Sequence, residues 1–145
     1  MIIGFASDHA GYELKEILID FVKKLNFEYI DFGTKSKDSV DYPDFIIPCA
    51  KAVSENKIER GVVICGSGIG ASIVANKIKG IRCALCTNIM MAKYSRLHNN
   101  ANIIAFGSKV VSEDDAKEML RIWLNTDFEY GRHERRILKI SELEK

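Results

Sequence analysis

A chain of 145 residues, 47% hydrophobic and 28% charged, is long enough for one packed core and has the composition of an ordinary globular protein. Its 21 basic and 20 acidic side chains leave a net charge of +1, which excludes bulk attraction to nucleic acid or to an anionic membrane. No apolar run approaches the ~20 residues that span a bilayer. Met1 leads straight into strand-like residues without a secretory leader, so a cytoplasmic protein with four reduced cysteines is expected.

Ile2 to Ala6 reads as a strand and ends in Ser7-Asp8-His9-Ala10-Gly11. A helix follows, with Leu14, Ile17, Leu18, Phe21, Val22 and Leu25 in one apolar stripe. Phe27 to Phe32 predicts a second strand, closed by Gly33-Thr34 and followed by a polar loop from Lys35 to Asp41. Proline is tolerated only near a helix start, so Pro48 predicts a second helix from about Phe45 to about Asn56. Val62 to Cys65 is the third strand; it runs into Gly66-Ser67-Gly68-Ile69-Gly70, and Ala71 to Lys77 reads as the opening of a helix. Ile81 to Cys86 makes strand four, and Asn88 to about Leu97 makes a helix carrying Met90, Met91 and Tyr94. The polar turn His98-Asn99-Asn100-Ala101-Asn102 leads into strand five, Ile103 to Gly107. Ser112 and Asp115 form a capping box before a helix striped by Ala116, Met119, Leu120 and Trp123. The charged tail from Arg132 to Lys145, with Ile137, Leu138 and Ile140, predicts a last helix.

Strand and helix alternate five times. The expected fold is α/β: a doubly wound, five-stranded parallel sheet with helices on both faces, a Rossmann-like or flavodoxin-like three-layer sandwich with a C-terminal helix, built from residues 1–145 as one domain. Ligands of such sheets bind beyond the carboxyl ends of the strands. Asp8-His9, the Cys65 loop, His98-Asn99 and Ser108-Lys109 are expected at those ends.

The loop after Cys65 is the informative stretch. Glycines let the backbone turn sharply and approach a ligand, and the helix behind them aims free N–H groups and its dipole at the loop. That makes an anion site, and Cys65 at its lip is a candidate nucleophile or base. The lysine of a nucleotidase phosphate loop is missing after Gly70, and the loop stands mid-chain rather than after the first strand, so neither nucleotide motif is present. Cys83-Ala84-Leu85-Cys86 has metal-site spacing, but residues three apart on a strand face opposite ways, so structural cysteines are expected. His9, His98 and His133 have no metal-ligand spacing with each other or with the cysteines, and no metal is expected. Singly these residues have dull explanations: Asp8 and His9 as helix caps, His98 and Asn99 as a C-cap, the Arg132 to Arg136 run as a solvated face. Together they supply an acid–base pair, an anion cradle and a cationic clamp, the needs of a phosphorylated small molecule undergoing proton transfer.

Gly4-Phe5-Ala6-Ser7-Asp8-His9-Ala10-Gly11, Asp41-Tyr42-Pro43, Cys65-Gly66-Ser67-Gly68-Ile69-Gly70, Asn76-Lys77, His98-Asn99, Asn102, Ala105-Phe106-Gly107-Ser108 and Gly131-Arg132-His133 resemble type B ribose-5-phosphate isomerase, in order and over essentially the whole chain. That family shares its fold with the galactose-6-phosphate isomerase subunits. The resemblance implies interconversion of ribose 5-phosphate and ribulose 5-phosphate in the pentose phosphate pathway, through a cis-enediolate and without cofactor or metal. It makes Cys65 the base, since this chain has no acid where another branch carries a glutamate after the loop. Ser67 and the N–H groups of Gly66, Gly68 and Gly70 would hold the oxyanion, and His98 would open the sugar ring. Asp8, Tyr42, Ile69 and Asn99 would line the pocket. His9, Arg132, Arg136 and Lys109, the last standing where the family has arginine, would take the phosphate. The partner implied is a second copy, in a homodimer or dimer of dimers with the site shared across the interface, so that the His98-to-Lys109 segment serves the partner's site. The alternatives are the same chemistry on allose or galactose 6-phosphate, and a non-enzymatic module that binds a phosphate ligand.

Overall fold

The computed structural model describes residues 1–145. Apolar runs form five strands, β1 (Ile2–Ser7), β2 (Glu28–Asp31), β3 (Arg60–Cys65), β4 (Cys83–Leu85) and β5 (Ile103–Gly107). Every neighbouring pair is parallel, in the order β2-β1-β3-β5-β4. The flavodoxin-like order runs 2-1-3-4-5; here β5 lies between β3 and β4, which sets Cys65 directly beside Gly107.

The helices are α1 (Tyr12–Lys24), α2 (Tyr42–Ser54), α3 (Ile69–Asn76), α4 (Ile89–Leu97), α5 (Glu113–Leu124) and α6 (Arg132–Glu142). Strand alternation gives the sheet two apolar faces. Phe5, Val62, Ile64, Ile104 and Phe106 pack with Leu14, Leu18 and Val22 of α1 and Met119, Leu120 and Trp123 of α5. Ala6, Val63, Cys65, Ile103 and Ala105 pack with Ile46, Cys49, Ala50 and Val53 of α2 and Ala71 and Ala75 of α3. Cys83 and Cys86 fall on opposite faces, as their spacing on a strand requires. The expected α5 stripe is buried in full, and Ser112 Oγ accepts the Asp115 N–H at 3.1 Å. Such a cap stabilises a helix by about 1 kcal/mol.

Four expectations need adjustment. In α1 the buried set is Leu14, Lys15, Leu18, Ile19 and Val22; Leu25 is 39% exposed. Lys15 turns inward because Asp31 Oδ1 and Oδ2 both lie 2.9 Å from its ammonium. α2 starts at Tyr42 rather than Phe45, so Pro48 lies inside the helix on an exposed position, while Pro43 occupies the first turn, where its missing N–H costs nothing. β4 is three residues long instead of six. α3 starts at Ile69, before the expected Ala71, because Gly68 closes the turn in the left-handed region at φ +80°.

No helix is long and apolar enough to cross a membrane.

Candidate active site

Cys65 ends β3, is 5% exposed and points toward α2 and α3. The chain then folds over the end of β5: Ser108 N–H donates to Cys65 O at 2.9 Å and Lys109 N–H to Gly66 O at 3.0 Å. A side chain at Gly68 would meet Leu85 and the Gly107 backbone at 2.6 to 2.8 Å, besides its φ of +80°. One at Gly70 would strike the Tyr42 ring at 2.7 Å. These two glycines therefore hold the loop against β5 and beneath Tyr42. Ile69 N–H is already engaged by Ser67 Oγ at 3.1 Å. The N–H groups of Gly66, Ser67, Gly68, Gly70 and Ala71 have no partner in the chain. Five unsatisfied donors around one thiol, at the N-terminus of α3, form a preorganised cradle for an anion.

The neighbouring strand end adds the rest of this half. Asp8 is buried; its Oδ1 accepts the Gly11 N–H at 3.0 Å. That bond turns the chain into α1 and leaves Oδ2 free of any partner in the chain. His9 Nδ1 accepts the Val40 N–H at 3.1 Å. The neutral ring then carries its proton on Nε2, which is a donor toward the cleft. The Lys109 stem runs along the same loop, 3.8 Å from where a Gly66 side chain would begin. Asp8, His9, Tyr42, Gly66, Ser67, Gly68, Ile69, Gly70 and Lys109 are thus gathered with Cys65 at the carboxyl edge of the sheet. The Ser67 hydroxyl keeps its proton free to donate, and the Ile69 side chain is 54% exposed.

His98 and Asn99 are not among them, contrary to their expected place at these strand ends. Lys109, expected to serve a partner's site along with them, stays beside the Cys65 loop of its own chain. α4 runs back against the strands, so its end lies at the amino edge. Gly61 N–H donates to Asn102 O at 3.0 Å, and Arg82, just before β4, bonds Asn99 O and Asn100 O at 2.9 and 3.0 Å. Gly61 to Cys65 is four residue steps along β3, about 13 Å between the edges at ~3.3 Å per step.

A second cluster forms at that amino edge. His133, in the first turn of α6, stacks on His98 with ring centroids 4.1 Å apart and 11° between planes. Tyr94, one turn before His98, lies 4.8 Å from its other side at 42°, and Glu129 Oε2 stands 3.8 Å from His98 Nε2. Arg132 and Arg136 are exposed and about 40° apart around α6, whereas Arg135 lies opposite the face that buries His133 and Ile137, at about 100° per residue. Sequence spacing missed Glu129 and His133, which stand more than thirty residues from His98. Tyr94 alone had a signal, its i,i+4 spacing to His98.

The ligand atoms of His98, Glu129 and His133 lie within 4.8 Å of one another, the set in this chain with the donors for a metal ion. Stacked imidazoles aim their in-plane lone pairs side by side rather than at a common point, so coordination would require both rings to turn. The geometry is that of an aromatic stack.

Burial pushes Cys49 and Cys86 up to about 12 and raises Cys83 as well. Cys65 alone stands at the mouth of the cradle. One equivalent of iodoacetamide at neutral pH is expected to label Cys65 and to leave the other three as thiols, read by mass spectrometry of the digest. First labelling at Cys83 would contradict that order.

Known proteins resemble this chain over nearly its whole length. The family described as Ribose/Galactose Isomerase matches residues 3–140. The chain is 40% identical over 142 residues to ribose-5-phosphate isomerase B of Escherichia coli K12, covering 98% of this chain and 95% of that one. It superposes on Clostridium thermocellum ribose-5-phosphate isomerase B with TM-score 0.98 and 53% identity, over 99% and 97% of the two chains. On the Mycoplasma genitalium enzyme, solved with bound ribulose-5-phosphate, the TM-score is 0.95 at 37% identity, over 99% and 95%. Matched along nearly its whole length, in sequence and in fold, the chain belongs to the ribose/galactose isomerase family.

Proposed function

We propose that residues 1–145 form one aldose–ketose isomerase domain that interconverts ribose 5-phosphate and ribulose 5-phosphate. The observation that carries this reading is the cradle of five unpartnered N–H groups around Cys65, in a chain whose relatives include an isomerase solved with ribulose-5-phosphate.

The Cys65 thiolate takes the proton from C2 of the open-chain aldose. Electrons move onto the C1 carbonyl oxygen, giving a cis-enediolate; the O2 proton passes to the adjacent O1, and the proton held by Cys65 returns to C1 as C2 becomes the ketone. Negative charge grows on oxygen during that step, where the loop N–H groups and the Ser67 hydroxyl meet it. His98 opens the ring beforehand: the anomeric O–H gives up its proton, the C1–O4 bond breaks and O4 is protonated, a transfer suited to an imidazole. Asp8 Oδ2 and Tyr42 hold sugar hydroxyls. The phosphate falls to His9 Nε2–H and Lys109 on one side and to Arg132 and Arg136 on the other.

The two halves of this machinery stand at opposite edges of one chain, so the reading requires a second copy: His98, Asn99, Arg132 and Arg136 of one protomer complete the Cys65 half of its partner. The single chain supports this in two ways. A cleft of about 490 Å³ between α1 and α5 is lined by Glu16, Asp20, Lys24, Glu113 and Lys117 and lies away from Cys65. Ile69 and Ile73 of α3 are each 54% exposed beside the cradle, apolar surface that a second copy would cover. A cytoplasmic enzyme fits its four free cysteines.

Purified protein assayed with ribose, allose and galactose phosphates tests the reading directly. Turnover of ribose 5-phosphate is expected, and binding without turnover of any of the three would refute it. Activity is also expected to survive EDTA, because the oxyanion is held by N–H groups; loss on chelation, restored by a divalent ion, would assign that work to a metal. Arg136→Ala should raise KM at least tenfold, since a fork to phosphate is lost, whereas Arg135→Ala, about 100° round α6 from Arg136 and turned away from His133 and Ile137, should leave KM within about twofold. Equal effects would reduce the α6 arginines to a diffuse field.

A further inference from the structure

His133 has no part in the chemistry above, and its surroundings are unusual for a histidine. It is 5% exposed, and its Nε2 is buried without a hydrogen-bond partner. Burial, with the neighbouring charges of His98 and Arg132, holds it below the usual imidazole range and therefore neutral. With Nε2 unpartnered inside the chain, the ring meets its neighbours through its flat face. That face lies against His98, 4.1 Å away and nearly parallel. His98 is the C-cap of α4, with its side chain 36% exposed, a place where a ring would otherwise exchange rotamers freely.

The wall behind His98 is itself held in place. Glu129 N–H donates to Leu97 O at 3.0 Å. Arg96 Nε donates to Thr126 O at 3.1 Å, and its Nη1 donates to Ala101 O at 2.8 Å. The segment leading to α6 is so tied to the end of α4, while Tyr94 closes the other side of the ring and Glu129 faces Nε2 at 3.8 Å. A carboxylate facing Nε2 favours the tautomer with its proton there, leaving Nδ1 as the basic nitrogen.

We propose that His133 is a positioning residue: it is the planar, uncharged wall that holds the His98 imidazole in the one orientation that reaches the sugar ring of the partner's site. The inference rests on the ring-opening role of His98 and goes beyond it by naming what fixes that ring. Proton transfer depends steeply on orientation, so a loosened His98 should open rings slowly while enolisation at Cys65 proceeds as before.

The experiment compares His133→Leu, His133→Phe and His98→Asn. Each variant is assayed for isomerisation of ribose 5-phosphate, which is mostly a closed furanose. Each is also assayed for deuterium wash-in from D₂O at C1 of ribulose 5-phosphate, whose O5 is esterified so that no furanose forms. His133→Leu is expected to lower kcat for ribose 5-phosphate by about 10–100-fold, with KM and wash-in unchanged. Retained wash-in also shows that the variant is folded. His133→Phe keeps a flat face, forfeits no hydrogen bond, and should stay within about threefold of the unsubstituted protein in both assays. If both variants raise KM, His133 donates to the phosphate and the proposal falls. If His133→Leu changes both assays equally, or neither, the proposal falls as well, as it does if the unsubstituted protein gives no wash-in. His98→Asn separates the two levels: a split between its assays upholds ring opening whatever His133 does, and equal losses remove the ring-opening reading itself.

Discussion

Cys65→Ala lowers isomerisation of ribose 5-phosphate by at least ~10²–10⁴-fold, the usual contribution of a positioned general base, and leaves KM within about threefold. Deuterium wash-in into ribulose 5-phosphate disappears with it, because no other group at the end of β3 can take a proton from carbon. The thiol acts on a C–H bond and contributes little to ground-state affinity, so binding and turnover separate. The fold tolerates the change. Cys65 packs among small residues, Ala71 and Ala105 of the same core, and removing one sulfur costs on the order of 1 kcal/mol. A melting curve close to that of the unsubstituted protein, together with lost turnover, makes the defect chemical. Near-normal turnover would return Cys65 to the core as a small buried hydrophobe, and the cradle would then serve binding alone.

What the sequence could tell depended on the range of each interaction. The β3 loop was legible because everything it needs is local: an apolar strand, glycines at two obligatory positions, and a helix directly behind. The α5 stripe and its Ser112 cap were legible for the same reason. Lys15 was not, because its partner Asp31 lies across the β1–β2 connection, and a lysine on an otherwise amphipathic helix reads as solvated until that partner is placed. Pro48 misled about α2 because a proline inside a helix is costly in isolation; here it sits on the outer face, while Ile46, Cys49 and Ala50 bury the other side. The order of β4 and β5 depends on pairing and has no local signal. The edge occupied by His98 was legible in principle. A residue that follows a helix and precedes a parallel strand must stand at the amino edge, and the motif placed it by chemistry where topology forbade it. The stack of His133 on His98 joins two segments across the chain's last third, beyond any pattern in the sequence.

That separation of halves makes a quantitative prediction. Take Cys65→Ala and His98→Asn as two inactive proteins, unfold them together and refold the mixture. If each site combines the Cys65 half of one protomer with the His98 half of its partner, a mixed dimer holds one doubly defective site and one intact site. Random pairing makes mixed dimers half of the population, so about a quarter of the unsubstituted activity returns. Each protein refolded alone stays inactive, and activity rises with mixing ratio to a maximum at equal amounts. Two defects within a single chain, Cys65→Ala with His98→Asn, mixed equally with unsubstituted protein leave each mixed dimer without an intact site, so activity falls to the quarter supplied by wholly unsubstituted dimers, against half if each chain built its own site. The contrast between separate and combined defects is decisive. Recovery of activity in the first mixture without the predicted maximum, or no recovery at all from soluble mixed dimers, would mean that one chain builds its own site. His98 would then have to cross the ~13 Å between the two edges of β3, a movement that the bonds of Arg82 and Arg96 to the Asn99-to-Ala101 turn oppose.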